Sequence, residues 1–187
     1  MRRSIAGLLC LFASSITLAD VLLELAGRNS FAGHFTQQVL SPDGVVLETA
    51  AGQFRMMRPV FFWLQIETPD RQLLLAAGNK ITQIDWDLEI VTEREITDET
   101  RTVLHWLLAP RSELEDTFAI ELSDSAAMLT PLETGMGFLR LGVSRINDAD
   151  WQLRITDLSH QVLEFVLTED PERSLDVSAF DVPETAF

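Results

Sequence analysis

The 187-residue chain has one cysteine, three histidines and no tyrosine, and its 14 basic residues face 29 acidic ones. Each shortage removes a class of function. The single cysteine, Cys10, lies in a stretch that reads as an export leader. The chain beyond that leader therefore has no disulfide and no thiolate zinc site, and its fold must rest on packing alone. His34, His105 and His160 fall on a predicted strand, a predicted helix and a turn. They form no H-x-H or H-E-x-x-H spacing, and the chain has neither a calcium loop nor a phosphate-cradling glycine run, so neither metal nor cofactor is expected. The nearest approach to a hydrolytic set is "DLSH", Asp157 to His160. Neighbouring residues cannot face one another as a triad must, and no G-x-S-x-G elbow exists, so no catalytic residue is assigned and no enzyme is expected. The acidity argues against nucleic acid and anionic lipid surfaces as partners. After residue 19 no apolar run approaches the roughly 20 residues of a membrane helix.

What is present begins with the leader. Met1 to Arg3 is a short basic start, Ile5 to Ile16 is mostly apolar, and Thr17 and Ala19 put small residues at the −3 and −1 positions. Cleavage is expected after Ala19, leaving residues 20–187 as one domain; a retained N-terminal anchor is the alternative. A lipoprotein anchor at Cys10 is rejected because the bulky Leu9 precedes it. Loss of Arg2 and Arg3 with the leader would take the net charge from −15 to −17.

The remaining chain changes period twice. Asp20 to Ser30 reads as a short helix capped by Asp20, with Leu22, Leu25 and Ala26 on one stripe. Period two then predicts strands over 34–40, 45–50, 52–57, 60–67, 72–76, 80–86 and 87–96, with "SPDG" and "AAGN" as hairpin turns. "TDETRTVLHWLLAP" predicts a second helix, capped by Thr97 or Asp98 and ended by Pro110. Strands return over 117–122, 126–132, 137–146, 151–157 and 162–168, and a last one is expected in "SLDVSAFDV". Many short strands with regular turns suggest a barrel or a strongly curved sheet, and two helices are enough to plug its hollow side but not to coat it.

One stretch stands apart. From Phe54 to Ile66 the even positions read Phe54, Met56, Arg58, Val60, Phe62, Leu64 and Ile66. They share one face unless Pro59 interrupts it. Apolar alternation alone is an ordinary sheet core. Arg58 departs from it, because a cation on such a face needs acceptors, and a guanidinium with five donors suits the carbonyls of a helix end. Arg58 is thus expected to latch the inserted helix.

The segments "FAGHFTQQVLSPDG", "GQFRMMRPVFFW", "ETPDRQLLLAAGNKI" and "IDWDLEIVT" resemble the LolA family of periplasmic lipoprotein carriers. Phe31, Phe35, Gln37, Gly52, Phe54, Arg58, Pro59, Phe62, Pro69, Gln72, Gly78, Asp85 and Leu88 fall in register with its pattern. The match is dense over residues 20–95; beyond 96 it rests on layout and on Phe180 and Pro183. Trp63 stands one residue before the family's usual tryptophan, at Leu64, so it points to the other face or the strand is bulged. The resemblance implies an α+β fold: an incomplete, unclosed antiparallel β-barrel with a helical lid over a concave apolar cavity. It gives Arg58 the part of lid latch. Phe54, Met56, Phe62, Leu64 and Ile66, with Leu104, Leu107 and Leu108 on the lid, would line the acyl cavity. It implies a monomeric periplasmic chaperone that takes acylated lipoproteins from an inner-membrane ATP-driven releasing complex and passes them to an outer-membrane acceptor lipoprotein. The alternatives are a lipid-binding module of another export pathway, for a glycolipid or pigment lipid, or a lipid sensor.

Overall fold

The computed structural model describes residues 20–97, 103–171 and 174–183. The expected leader and the helix cap at Asp98 lie outside the described residues. Asp20 accepts from the Leu22 and Leu23 amides at the start of α1 (Val21–Ala26). Six strands come next in meander: β1 (Ser30–Leu40), β2 (Val46–Met57), β3 (Phe61–Thr68), β4 (Gln72–Ala77), β5 (Lys80–Asp85) and β6 (Ile90–Glu95). The two strands expected over 45–57 are one continuous strand, β2. Two short helices, α2 (Val103–Leu108) and α3 (Arg111–Thr117), precede a second meander. Its strands are β7 (Phe118–Leu122), β8 (Ala126–Pro131), β9 (Phe138–Arg145), β10 (Asp150–Asp157) and β11 (Val162–Glu169).

Pro110 does end α2, as expected, but it also stands at the N-cap of α3, a helix the sequence reading lacked. Proline is tolerated at a helix start, where its missing N–H has no partner to lose. The strand expected in "SLDVSAFDV" is a second correction: the segment folds as a short 3-10 helix, Val177–Phe180. Leu175, Ala179 and Phe180 pack on the outer face of the sheet while Val177 is exposed, so the period-two alternation does not mark a paired strand here.

The eleven strands form one antiparallel sheet in the order β6-β5-β4-β3-β2-β1-β11-β10-β9-β8-β7. First and last strands pair, from Gly33 with Glu169 to Leu40 with Val162. The sheet is not closed: β6 and β7 are its edges, and the helical segment joins them in sequence. β5 and β10 are six steps apart in that order, about 30 Å if the sheet were flat at the usual ~4.8 Å spacing. Yet Ile81 of β5 and Ile155 of β10 line the same cavity. The sheet therefore curls, and one apolar core inside the curl takes Phe35, Phe54, Phe62, Leu141, Leu153 and Trp151 together with residues of all three helices.

Two glycines let neighbouring backbones come close. A Cβ at Gly33 would lie 1.9 Å from the Thr168 carbonyl oxygen, and one at Gly52 would lie 1.8 Å from that of Gln65. The β2–β3 register also shifts between Ala51 and Gly52. The outer face of β3–β5 has its own small core: Trp63, Leu73, Leu75 and Ile84 are covered by Phe180. Trp63 thus points to the opposite face from Leu64, and β3 pairs without a bulge there. The Arg55 guanidinium lies 3.9 Å over the Trp63 ring and donates to the Ala179 carbonyl (2.7 Å), which ties the C-terminal segment down.

Gly52→Ala should destabilise the fold by about 2 kcal/mol or more, because backbone must move to admit the methyl group. Thermal unfolding should show a Tm lowered by roughly 5 °C; a Tm equal to wild type would mean that this approach of β2 to β3 is slack. Phe180→Ala should cost about 3 kcal/mol by opening the outer core. Acrylamide should then quench tryptophan emission more strongly, and unchanged quenching would show that Phe180 does not shield Trp63.

Candidate functional site

The β2–β3 hairpin explains how the even face survives Pro59. Gly52 pairs with Ile66, Phe54 with Leu64 and Met56 with Phe62, so residues of equal parity stand opposite one another and share the inner face. Arg58 lies in the connecting turn, where its amide donates to the Asn29 carbonyl (2.9 Å). Its side chain is half-buried and reaches the ends of two helices. Nε donates to the Arg28 carbonyl (3.0 Å), and Nη2 donates to Leu25 (3.1 Å) and Leu107 (3.2 Å). Nη1 donates to Leu108 and to Ala109 (3.3 Å). Five donor bonds thus meet five backbone carbonyls, two just after or within the last turn of α1 and three at the end of α2. Carbonyls at a helix end lack the next turn's amides and carry the negative end of the helix dipole, so a cation suits them; the Leu25 carbonyl also accepts from the Arg28 amide (3.2 Å). Burial draws the Arg58 guanidinium below its usual range, because water no longer solvates the charge fully.

Other ties hold the same assembly. Arg111 of α3 pairs with Asp20 at 2.9 Å. Arg28 pairs with Glu169 at the end of β11 and with Glu24 (3.6 Å), and it stands 5.7 Å over Trp151. On its apolar side α2 buries Leu104, Trp106, Leu107 and Leu108. Trp106 meets Phe118 edge-on at 5.0 Å, and His105 meets Phe62 edge-on at 5.7 Å.

Beside these helices the curl leaves a cavity of about 380 Å³. Its wall is chiefly apolar: Leu64, Ile66, Leu74 and Ile81 from the first meander, Val103 and Leu104 from α2, and Ile155, Leu163 and Phe165 from the second. Gln37, Gln72, Gln83 and Arg94 add polar groups to it. The volume lies within the roughly 300–1,000 Å³ of small-ligand sites. Of the eight apolar residues expected to line a cavity, Leu64, Ile66 and Leu104 border this one. Phe54, Met56, Phe62, Leu107 and Leu108 belong to the same core but sit in its filled part. The sequence reading missed the far wall. Ile155, Leu163 and Phe165 do show period two, but only the pairing of β11 with β1 brings them round.

Among the described residues, no three or more His, Cys, Asp or Glu side chains are grouped so as to hold a metal ion. Nor is any helix among them long and apolar enough to cross a membrane.

The family described as "Outer membrane lipoprotein carrier protein LolA" matches residues 26–182. An outer-membrane lipoprotein carrier protein of Vibrio cholerae serotype O1 is 29% identical over 187 residues, covering 97% of this chain and 93% of that protein. One from Proteus mirabilis is 27% identical, covering 92% of this chain and 88% of its own. Among solved structures, a proposed outer membrane lipoprotein-sorting protein domain from Vibrio parahaemolyticus superposes with a TM-score of 0.52. It covers 86% of this chain and 93% of its own at 7% identity, a likeness of fold alone. The unclosed sheet, the inserted helices and the family match over most of the chain agree: the protein belongs to the LolA family.

Proposed function

We propose that the protein is a periplasmic chaperone that binds the acyl chains of lipoproteins and carries them from the inner to the outer membrane. The observation that carries this reading is the junction of Arg58 with the carbonyls of α1 and α2 beside an apolar cavity. Membership of the family and the names of its relatives favour lipoproteins over a free glycolipid or pigment lipid as cargo. In this reading residues 1–19 are a cleaved leader and residues 20–187 a single carrier domain, active as a monomer. It receives cargo from an inner-membrane ATP-driven releasing complex and gives it up to an outer-membrane acceptor lipoprotein. It is a carrier and performs no chemistry.

An acyl chain left in water costs roughly 0.8 kcal/mol for each CH₂. A carrier must cover that surface and later uncover it. Cargo and closure compete here for the same space. Swinging α2 away adds its underside to the exposed wall, so Phe62 and Leu107 join Leu64, Ile66 and Leu104 as lining. Opening breaks the Arg58 bonds, and that cost is subtracted from the gross affinity for cargo. Arg58 thereby keeps binding reversible.

Arg58→Leu should load cargo and fail to hand it on. Incubated with spheroplasts, the variant should release lipoproteins into the soluble fraction as a complex. Transfer from it to outer membranes should then fall at least about tenfold, the equivalent of ~1.4 kcal/mol. Transfer at the wild-type rate would sink the latch. Ile66→Trp should fill the cavity near its mouth. It should weaken binding of an apolar fluorescent probe about tenfold while far-UV circular dichroism stays unchanged; full probe binding would place the acyl site elsewhere.

A further inference from the structure

The cavity does not end at Ile66. A second hollow of about 570 Å³ adjoins it, between the start of β2 and the β3–β4 turn. Gln37, Ile66 and Gln72 line both spaces. Beyond them the lining changes character: Glu48, Thr49, Pro69 and Asp70 replace the aliphatic side chains. Gln37 and Gln72 therefore stand on the boundary between a space suited to hydrocarbon and one suited to hydrated chain.

The register shows how the boundary is made. Gln72 pairs with Ile66 on β3 and with Asp85 on β5, and Leu64, one inward position deeper, pairs with Leu74. On β1 the inward residue before Gln37 is the buried Phe35. Aromatic and aliphatic rows thus give way to amides at the mouth. Gln72 Nε2 donates to Asp85 Oδ2 (3.1 Å), which orients the amide and uses one of its two hydrogens. Both glutamines belong to the residue pattern that marks the chain, yet neither touches Arg58 nor fills the core.

We propose that Gln37 and Gln72 bind the junction of the cargo, the ester and amide groups that join its acyl chains to its polypeptide. This rests on the carrier reading above. Carbonyls at that junction are drawn out of water when the chains are buried, and they cost free energy unless donors meet them. A carboxamide supplies a donor and an acceptor at once, which suits a group of esters and amides. The first residues of the polypeptide then run through the outer hollow past Thr49 and Asp70. The two glutamines make the protein select acylated peptide over plain hydrocarbon and set how deep the chains go.

The test compares two ligands on the purified protein. One is a synthetic triacylated cysteinyl peptide; the other is N-phenyl-1-naphthylamine, an apolar probe without such a junction. The doubly substituted Gln37→Met, Gln72→Met protein keeps side-chain length and loses the amides. Its affinity for the lipopeptide, relative to its affinity for the probe, should fall about tenfold. If the double variant does not fold, the single variants should each lower the same ratio about threefold. An unchanged ratio would overturn the proposal, whatever happened to the two affinities separately. Wild-type protein that took up neither ligand would sink the carrier reading itself and this assignment with it.

Discussion

Helix α1 has six residues, well below the roughly 12–15 at which an isolated helix holds in water, and the described part of α2 is no longer than that. Their positions come from outside, from buried leucines on one side and from the Arg58 guanidinium at their C-terminal ends. A charged donor makes bonds worth about 1.5–3 kcal/mol each, more than a neutral one. Here one side chain makes all five to backbone, so their strength does not depend on the rotamer of any partner. Three of the five acceptors, Leu107, Leu108 and Ala109, lie at the end of α2, and the other two, Leu25 and Arg28, at the end of α1. One side chain thus joins the ends of both helices.

The curl of the sheet is what gives Arg58 both helix ends to hold. Gly33 and Gly52 let neighbouring strands approach closely, and the β1–β11 pairing brings the second meander around to face the first. Asp20–Arg111 and Arg28–Glu169 then fasten the helices to each other and to β11. Arg28 serves twice, with its carbonyl under Arg58 and its side chain on Glu169. The outer core under Phe180 stiffens β3–β5 from behind, so the wall that carries Leu64 and Ile66 is backed on both faces.

Much of this was legible along the chain. The turns at Gly44 and Gly78 take the positive φ that glycine allows, and the hairpins fall where those residues and period two put them. The carbonyl-seeking geometry of Arg58 could be argued from an arginine on an apolar face before any partner was known. What was hidden depends on contacts between residues far apart in sequence. The alternation of Leu175, Val177 and Ala179 reads as a strand, yet only Leu175, Ala179 and Phe180 pack on the Trp63 cluster and Val177 is exposed. A helix restarting after Pro110 has one buried residue, Leu114, and thus no stripe to read. The far wall of the cavity needed the strand order, which no local period encodes.

The placement of the seam has a kinetic side. The sheet is open between β6 and β7, in the middle of the sequence, and is joined between β1 and β11, at its two extremes. Each meander can zip up from hairpins as it emerges, but the first strand waits for the last before the hollow exists at all. Such distant pairing is slow to find. Until it forms, the aromatic faces of both half-sheets stand open, and a chain threaded through a membrane amino end first would pass that whole interval without its core.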